Sequence, residues 1–245
     1  MTYCLAISVN KGLVFASDSR TNAGVDYVTT YSKMHTFVWP EERALVLLTS
    51  GNLATSQAVV NIIRNDLENP KAKFDLRSGR HLYEVAHYIG QLSQKEQALH
   101  AEAMKQSKSR AEASFILGGQ IEGQQPEIFL VYPQGNYISA SPETPYLQIG
   151  ENKYGKPILD RIITSTTSVE DAARCALVSL DSTIRSNISV GPPVELAIHT
   201  KDNIKEPYHL KLTLNSPMYK SLQKRWNEGL QRAFKRLPRF EWENE

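Results

Sequence analysis

The chain has 245 residues, of which 22% are charged, and its formal net charge at pH 7 is +2. This length suits one or two domains and allows a large buried core. Because basic residues nearly balance acidic ones and are spread along the chain, the composition excludes a nucleic-acid-binding surface as the main functional feature.

The amino-terminal segment predicts a β-hairpin whose two ends lie together. Tyr3–Val9 is rich in strand-forming residues, 10–12 is an Asn-Lys-Gly turn signal, and 13–16 is again apolar. In a hairpin of this length the chain returns to its starting point. We therefore expect Asp18, beyond the second strand, to lie across the ladder from Thr2.

Thr2 has the chemistry of a nucleophile that carries its own base. Met followed by a small residue is the usual context for removal of the initiator Met, which leaves Thr2 with a free α-amine. That amine titrates near pH ~7.7–8.0 and can accept the hydroxyl proton at neutral pH. Two alternatives stay open: Thr2 is a frayed strand end, or Met1 is retained and the amine mechanism fails.

The rest of the chain predicts alternating groups of strands and helices. We expect a loop at 21–27, strands at 28–38 and 44–49 with Lys33 inside the first, and amphipathic helices at 53–67 and 81–103. Next come strands at 113–117 (ended by Gly118-Gly119), 127–132, 137–139 and 146–150, helices at 157–163 and 168–185, an exposed turn at 186–193, and strands at 194–199 and 209–214. Two sheets, each covered by helices, satisfy this order best, which places the chain in the α+β class.

The junction after the strand at 44–49 is a candidate anion site. The strand ends at Ser50-Gly51-Asn52, and Ser50 or Asn52 can cap the helix that follows. Backbone amides at such a strand–Gly–helix junction point outward and can hold an anion or the oxyanion of a reaction. The alternative is that Gly51 only makes the turn.

A basic amphipathic helix is predicted at 216–239. Its charged residues and its apolar residues fall on different faces, the apolar ones being Leu222, Trp226, Leu230, Phe234 and Leu237. We interpret it as a docking helix. A nucleic-acid or membrane element is the alternative, but no second basic patch supports it.

The cysteines and the apolar runs of the sequence indicate the cellular compartment of the protein. Cys4 and Cys175 lie far apart in apolar stretches, so we expect buried free thiols in a reducing environment. The polar Asn10 and Lys11 interrupt the first apolar run before it reaches the length of a signal-peptide core, and no run approaches membrane-spanning length. We therefore expect a soluble, cytoplasmic protein.

Neither a metal site nor a nucleotide site is indicated. The histidines lack metal-ligand spacing with cysteines or carboxylates, and no Gly-rich phosphate loop precedes a helix in the Walker arrangement. We therefore expect no cofactor and no ATP hydrolysis by the chain itself.

Several short segments together resemble the signature segments of proteasome β subunits: Thr2, the segment 17–21 (Ser-Asp-Ser-Arg-Thr), Lys33, the strand ending at Gly51, the stretch 149–155 and the turn 185–191. The opening 1–4, the segment 16–26 and the long C-terminal segment are most similar to the bacterial ancestral β-subunit group known as Anbu. The resemblance covers nearly the whole chain. It implies the N-terminal-nucleophile hydrolase fold, a four-layer αββα sandwich, with 1–245 as one proteasome-type domain made of a core (1–215) and a C-terminal extension (216–245).

The resemblance also implies roles for individual residues. Thr2 acts as the nucleophile, and its own amine moves the proton. Lys33 lowers the barrier to deprotonation by its positive charge, and Asp18 keeps Lys33 charged and oriented. The amide of Gly51 donates to the oxyanion, and Arg20 shapes the neighbouring loop.

Two positions depart from the proteasome pattern. In the turn after the fourth helix Ser186 stands where proteasome β subunits carry Asp, whereas Ser189 keeps their Ser. Glu151 stands where they carry a Ser beside the amine. A carboxylate there can pair with the α-ammonium and raise its pKa, which makes the amine a poorer base at neutral pH. We therefore expect a working peptidase that is slow or narrow in specificity.

Three functions remain in competition. The first is a threonine peptidase acting on peptides or unfolded proteins, assembled as the resemblance implies into a homo-oligomeric ring or open spiral of about a dozen subunits. The second is a weakly active or inactive scaffold of the same fold, and the third is a small-metabolite amidase. The sequence leaves open the cleavage preference and any ATP-dependent unfoldase partner.

Overall fold

The computed structural model describes residues 2–22, 28–106 and 110–244, which form two five-stranded antiparallel sheets, a two-stranded ribbon and flanking helices. In chain order the elements are β1 (Tyr3–Val9), β2 (Gly12–Asp18), β3 (Arg20–Asn22), β4 (Val28–Thr30), β5 (Met34–Trp39), β6 (Arg43–Gly51), α1 (Leu53–Glu68), α2 (Leu82–Gln106), β7 (Ala113–Ile121), β8 (Glu127–Val131), β9 (Tyr137–Ser139), β10 (Tyr146–Gly150), α3 (Lys156–Ile162), α4 (Val169–Ser186), β11 (Val194–Thr200), β12 (Tyr208–Leu212), α5 (Pro217–Phe234) and a 3-10 turn (Glu241–Asn244). Met1 and 23–27 of the predicted loop lie outside the described residues.

The two sheets stack face to face, and helices cover their outer faces. One sheet has the strand order β10-β1-β2-β11-β12 and the other β5-β6-β7-β8-β9. Strand β1 illustrates the packing, since Tyr3, Leu5 and Ile7 join the cluster under α3 and α4 while Cys4 and Ala6 join the cluster between the sheets. Helices α1 and α2 cover the second sheet in the same way. The predicted αββα sandwich is confirmed.

The prediction of one strand over 28–38 is wrong, because the chain forms β4 and β5 with a break at 31–33. Strand β4 pairs with β3 in the ribbon, whereas β5 pairs with β6 in a main sheet. A run of strand-forming residues does not reveal that the chain changes its pairing partner partway along. Lys33 therefore lies in the break and not inside a strand.

The prediction that Gly118-Gly119 ends a strand is also wrong, because β7 runs through both residues to Ile121. A Cβ atom at Gly118 would collide with the side chains of Phe15 and Ile128. The glycine therefore lets Phe15 of the opposite sheet pack directly against β7, and it acts as a packing residue within the strand.

The turn predicted as exposed at 186–193 is largely buried. Ser186 and Ile188 are exposed, but Asn187, Val190 and Gly191 are buried. The reason is that the turn packs against the end of the hairpin, where the amide of Gly191 donates a hydrogen bond to Asp18. The turn is therefore part of the site described below.

Helix α5 contacts the sandwich mainly through its first turns. Tyr219 is fully buried and Leu222 packs against the same cluster. Trp226 is half-buried, and five apolar residues beyond it are between 50% and 74% exposed, namely Leu230, Phe234, Leu237, Phe240 and Trp242. In the part of the chain that the structure describes, no helix has the length and apolar character needed to cross a membrane.

Candidate active site

The peptide unit between Thr2 and Tyr3 is held from both sides. The Tyr3 amide donates to Asp18 Oδ1 at 3.0 Å, as the return of the hairpin predicts. The carbonyl oxygen of Thr2 accepts from the Glu151 amide at 2.7 Å. A Cβ atom at Gly150, whose φ is +83°, would collide with that carbonyl, so the close approach of β10 requires glycine. Hydrogen bonds of the backbone thus fix this end of the chain, and they do not involve the Thr2 hydroxyl group.

A buried ion pair lies directly behind Thr2. Lys33 Nζ is 2.6 Å from Asp18 Oδ1 and also donates to the Arg20 carbonyl at 2.7 Å. Asp18 is fully buried and Lys33 is 4% exposed. The second carboxylate oxygen, Oδ2, accepts from the Gly191 amide at 3.1 Å. Because each charge has a partner and further hydrogen bonds, the pair can persist away from water.

The pKa of the Asp18 carboxyl reflects two opposing effects. Burial raises this pKa, because it disfavours the charged form. The Lys33 ammonium lowers it, as do the amides of Tyr3 and Gly191. Burial is the larger effect, so the pKa of Asp18 lies above its usual range, and the carboxylate depends on Lys33 to remain charged.

A cavity of about 350 Å³ opens over this pair, and Thr2, Lys33, Gly51 and Gly150 all line it. Gly51 ends β6 with φ at +95°, and a Cβ atom there would collide with the Glu112 carbonyl. Helix α1 starts two residues later, with Asn52 as its N-cap accepting from the Thr55 amide at 3.1 Å. Of the two predicted caps the structure selects Asn52. Thr2, the Lys33 ammonium and the N-terminus of α1 therefore line the same cavity.

Arg20 and Glu151 flank the site through the turn after α4. Arg20 donates to the Ile188 carbonyl at 2.6 Å, and its guanidinium lies against Gly191. The Glu151 carboxylate accepts from Asn187 Nδ2 at 3.1 Å. Both residues thus tie the turn to the end of the hairpin.

The two predicted serines of the turn lie in different settings. Ser186 is the exposed last residue of α4, and the half-buried Ser189 donates its backbone amide to Asn187 Oδ1 at 2.9 Å. Sequence reasoning missed Asn187 and the Gly191 amide. Asn at the end of a helix is typically interpreted as a C-cap, which Asn187 also is, so the sequence carries no separate signal for its contact with Glu151.

A second cavity of about 370 Å³ adjoins the first and shares with it Thr49, Leu53 and Ser56. One face of α1 lines it at helical spacing with Gln57, Val60, Asn61 and Arg64, and the facing segment contributes Tyr31, Ser32 and His35. Burial, with a smaller effect of Arg64, lowers the pKa of His35 to about 4. His35 is therefore neutral at pH 7, and Arg64 is the charged side chain of this side cavity among the described residues that line it.

The lowered pKa of His35 predicts a loss of stability in acid. The unfolded histidine binds a proton near pH ~6.5, but the folded one binds it only near pH 4, so the unfolded state holds more protons between these values. The free energy of unfolding should fall with pH through this window, with His35 contributing roughly 2 kcal/mol of the loss by pH ~4.5. Urea unfolding at about pH 7.5 and 4.5 measures it.

The matched variant for this prediction is His35→Gln, which cannot gain a proton. It should lose roughly 2 kcal/mol less than the wild type over the same pH interval. His199, whose pKa burial also lowers, is present in both chains and cancels in the comparison. Equal losses in the two chains would contradict the assignment.

No cluster of three or more His, Cys, Asp or Glu within 2–22, 28–106 and 110–244 is arranged to hold a metal ion.

The family model of the proteasome subunit matches residues 2–199. The comparison with curated proteins gives no match.

Three solved structures are similar over almost their entire length. Anbu (ancestral beta-subunit) from Yersinia bercovieri is 40% identical, with 98% of this chain and 99% of that chain covered and a TM-score of 0.92. The helical assembly of the Anbu complex from Pseudomonas aeruginosa is 42% identical, with 98% of each chain covered and a TM-score of 0.90. The Anbu (Gly-1) mutant from Hyphomicrobium sp. strain MC1 is 38% identical, with 98% and 100% covered and a TM-score of 0.91.

Proposed function

The chain belongs to the proteasome subunit family, and we propose that it is a threonine peptidase that uses Thr2 as an N-terminal nucleophile once the residue before it is removed. The observation that carries the proposal is the joint position of Thr2, the Asp18–Lys33 ion pair and Gly51 around one cavity. A strand end without catalytic purpose needs neither a buried lysine nor a cavity beside it.

The proposed reaction proceeds through an ester intermediate. Thr2 Oγ attacks the carbonyl carbon of a peptide bond while its proton passes to the α-amine, directly or through a water. The oxygen that becomes negative accepts a hydrogen bond from the Gly51 amide. The C–N bond then breaks, the departing amine takes the proton, and water hydrolyses the ester to release the acid and free Thr2.

Lys33 and Asp18 act on the first step by electrostatics. The Lys33 ammonium lines the cavity beside Thr2 and stabilises negative charge that develops on Oγ. Asp18 holds the ammonium by the same oxygen that binds the Tyr3 amide, so nucleophile and cation share one support. Arg20 contributes its carbonyl to Lys33 and its guanidinium to the turn.

Glu151 is the proposed reason for slow turnover. Its amide bonds the Thr2 carbonyl, so its carboxylate extends from a backbone next to the proposed amine. Pairing of that carboxylate with the α-ammonium makes the amine a weaker base at neutral pH. The contact between Glu151 and Asn187 holds the carboxylate in place.

Assembly into a homo-oligomer accompanies this activity in our proposal. One similar solved structure is a helical assembly, and the apolar residues of α5 and the segment after it are exposed in a single chain. Apolar surface of this kind is typical of subunit contacts. The same exposed surface also favours the scaffold alternative, which differs in not needing Thr2.

The side cavity predicts which peptides are cleaved. The α-carbon of the residue that supplies the scissile carbonyl is one bond from the attacked atom, and we infer that its side chain enters the adjoining side cavity, which Asn61 and Arg64 line. We expect acidic residues at that position to be preferred over basic ones by about tenfold in kcat/KM, or ~1.4 kcal/mol, because Arg64 attracts a carboxylate and repels an ammonium.

A peptide library of defined composition, digested and mapped by mass spectrometry, tests both the function and this preference. The Thr2→Ala protein is the blank. Arg64→Gln should remove the acidic preference, whereas Arg161→Gln, an exposed arginine of α3 outside both cavities, should keep it. An absence of Thr2-dependent cleavage would contradict the peptidase proposal, and cleavage mainly after basic residues would contradict the role of Arg64.

A further inference from the structure

Glu195 is a buried carboxylate close to the site that the reaction above does not use. It lies on β11, where it pairs with Ser17 of β2, one residue before Asp18, and it is 3% exposed. It lines neither of the two cavities. Burying a charged group costs free energy unless hydrogen-bond partners surround it. The partners of Glu195 therefore show which parts of the site it connects.

The carboxylate contacts the two chain segments that carry the ion pair. Its Oε1 accepts from Ser19 Oγ at 3.4 Å, and its Oε2 lies 3.0 Å from Ser32 Oγ, whose single hydroxyl proton is shared between this carboxylate and the Met34 carbonyl, also at 3.0 Å. Ser19 follows Asp18 directly, and Ser32 precedes Lys33 directly. One buried group therefore bonds to the immediate neighbour of each member of the ion pair.

The segment of Lys33 has particular need of such a contact. It lies in the break between β4 and β5, where isolated backbone hydrogen bonds, from the Tyr31 amide to the Ser19 carbonyl and from the Thr49 amide to the Lys33 carbonyl (both 2.9 Å), take the place of a continuous ladder. Ser32 Oγ also accepts from the Met34 amide at 3.3 Å, so the serine that bonds Glu195 sets the turn around Lys33 as well. A shift of this segment would move the Lys33 ammonium relative to Asp18.

We propose that Glu195 is a positioning residue, which fixes the Lys33 segment against Asp18 and so sets the distance between the cation and Thr2. This inference rests on the proposed function. His209 on β12 is a third partner of Glu195. Its side chain is partly exposed, and its Nε2 lies 3.3 Å from Glu195 Oε2. Neither Glu195 nor His209 touches the reacting atoms, so the effect acts through Lys33.

The test compares Glu195→Gln with a matched buried carboxylate elsewhere. Gln keeps the shape of Glu but replaces one accepting oxygen by an NH2 group, which cannot accept from a serine hydroxyl. The control is Asp181→Asn on α4, a residue 2% exposed that bonds Arg185 and Gln223. Both variants remove one buried carboxylate, so they share the general cost to stability.

Four quantities are measured on the full-length chains: kcat and KM for the best library peptide, the melting temperature, and the Nζ to Oδ1 distance between Lys33 and Asp18 in crystals. For Glu195→Gln we expect kcat to fall about tenfold at unchanged KM and the distance to exceed hydrogen-bonding range. Ser32→Ala should act in the same direction, and the double variant should add little to Glu195→Gln. Asp181→Asn should change only the melting temperature.

Two results would overturn the inference: a Glu195→Gln chain with the wild-type ion-pair distance, or one whose kcat follows that of Asp181→Asn. If the wild type cleaves nothing, the proposed function has failed, and the crystal distance still decides the role of Glu195. An unchanged distance then rejects that role, and a lengthened one supports it.

Discussion

Replacing Thr2 by Ala is expected to reduce peptide hydrolysis by at least about 10⁴-fold in kcat, because the variant has no hydroxyl to form the ester. The fold should be unaffected. The hydrogen bonds that fix this end of the hairpin are made by the Thr2 carbonyl and the Tyr3 amide, which Ala retains. Initial rates on the best library peptide, together with thermal unfolding, measure the two effects separately.

Thr2→Ser is the conservative control for this prediction. It keeps the hydroxyl and the α-amine, so its kcat should stay within about tenfold of the wild type. Cleavage by Thr2→Ala at the wild-type rate would mean that another group carries out the reaction. Equal loss in the Ser and Ala variants would mean that the side chain serves packing and not attack.

Lys33→Met is expected to lower kcat by about 10³-fold and also to destabilise the protein. The catalytic loss follows from removal of the charge beside Thr2. The stability loss, about 3–5 kcal/mol, follows because Asp18 is left as a buried carboxylate without its cation. Kinetics and urea unfolding of the same preparation measure both.

The double variant Lys33→Met with Asp18→Asn separates these two effects. It removes both charges, so much of the stability should return, while kcat should stay as low as in Lys33→Met. If activity returned along with stability, the ion pair would be a structural element only, and the proposed electrostatic role of Lys33 would be wrong.

The sequence predicted those parts of the site that depend on local pattern. The hairpin follows from two short runs of strand-forming residues around a turn, and that alone brings Asp18 to the start of β1. Gly51 was identified from the strand–Gly–helix junction, where the structure has a positive φ and no room for a Cβ atom. The layered fold follows from the order of strands and helices.

The parts that the sequence did not predict depend on contacts between distant segments. Lys33 was assigned to a strand because the change of sheet at 31–33 leaves no local pattern. The turn after α4 was interpreted as exposed because its burial comes from the hairpin end, far away in the sequence. Glu195 was overlooked for the same reason, since its partners Ser19 and Ser32 lie more than 160 residues earlier.

Helix α5 is an intermediate case. Its apolar face follows from helical spacing, but α5 ends at Phe234, five residues before the end of the predicted range 216–239. The structure leaves most of that face exposed, which is consistent with an interpretation as a contact between subunits. The division into a core (1–215) and an extension (216–245) stays a prediction.

The most direct test of the central claim is the intact mass of the purified protein, measured before and after incubation with an epoxyketone or a β-lactone that reacts with N-terminal threonine. We predict a chain that begins at Thr2 and gains one adduct, and we predict that Thr2→Ala gains none. A chain that keeps Met1 and gains no adduct would contradict the assignment of Thr2 as an N-terminal nucleophile.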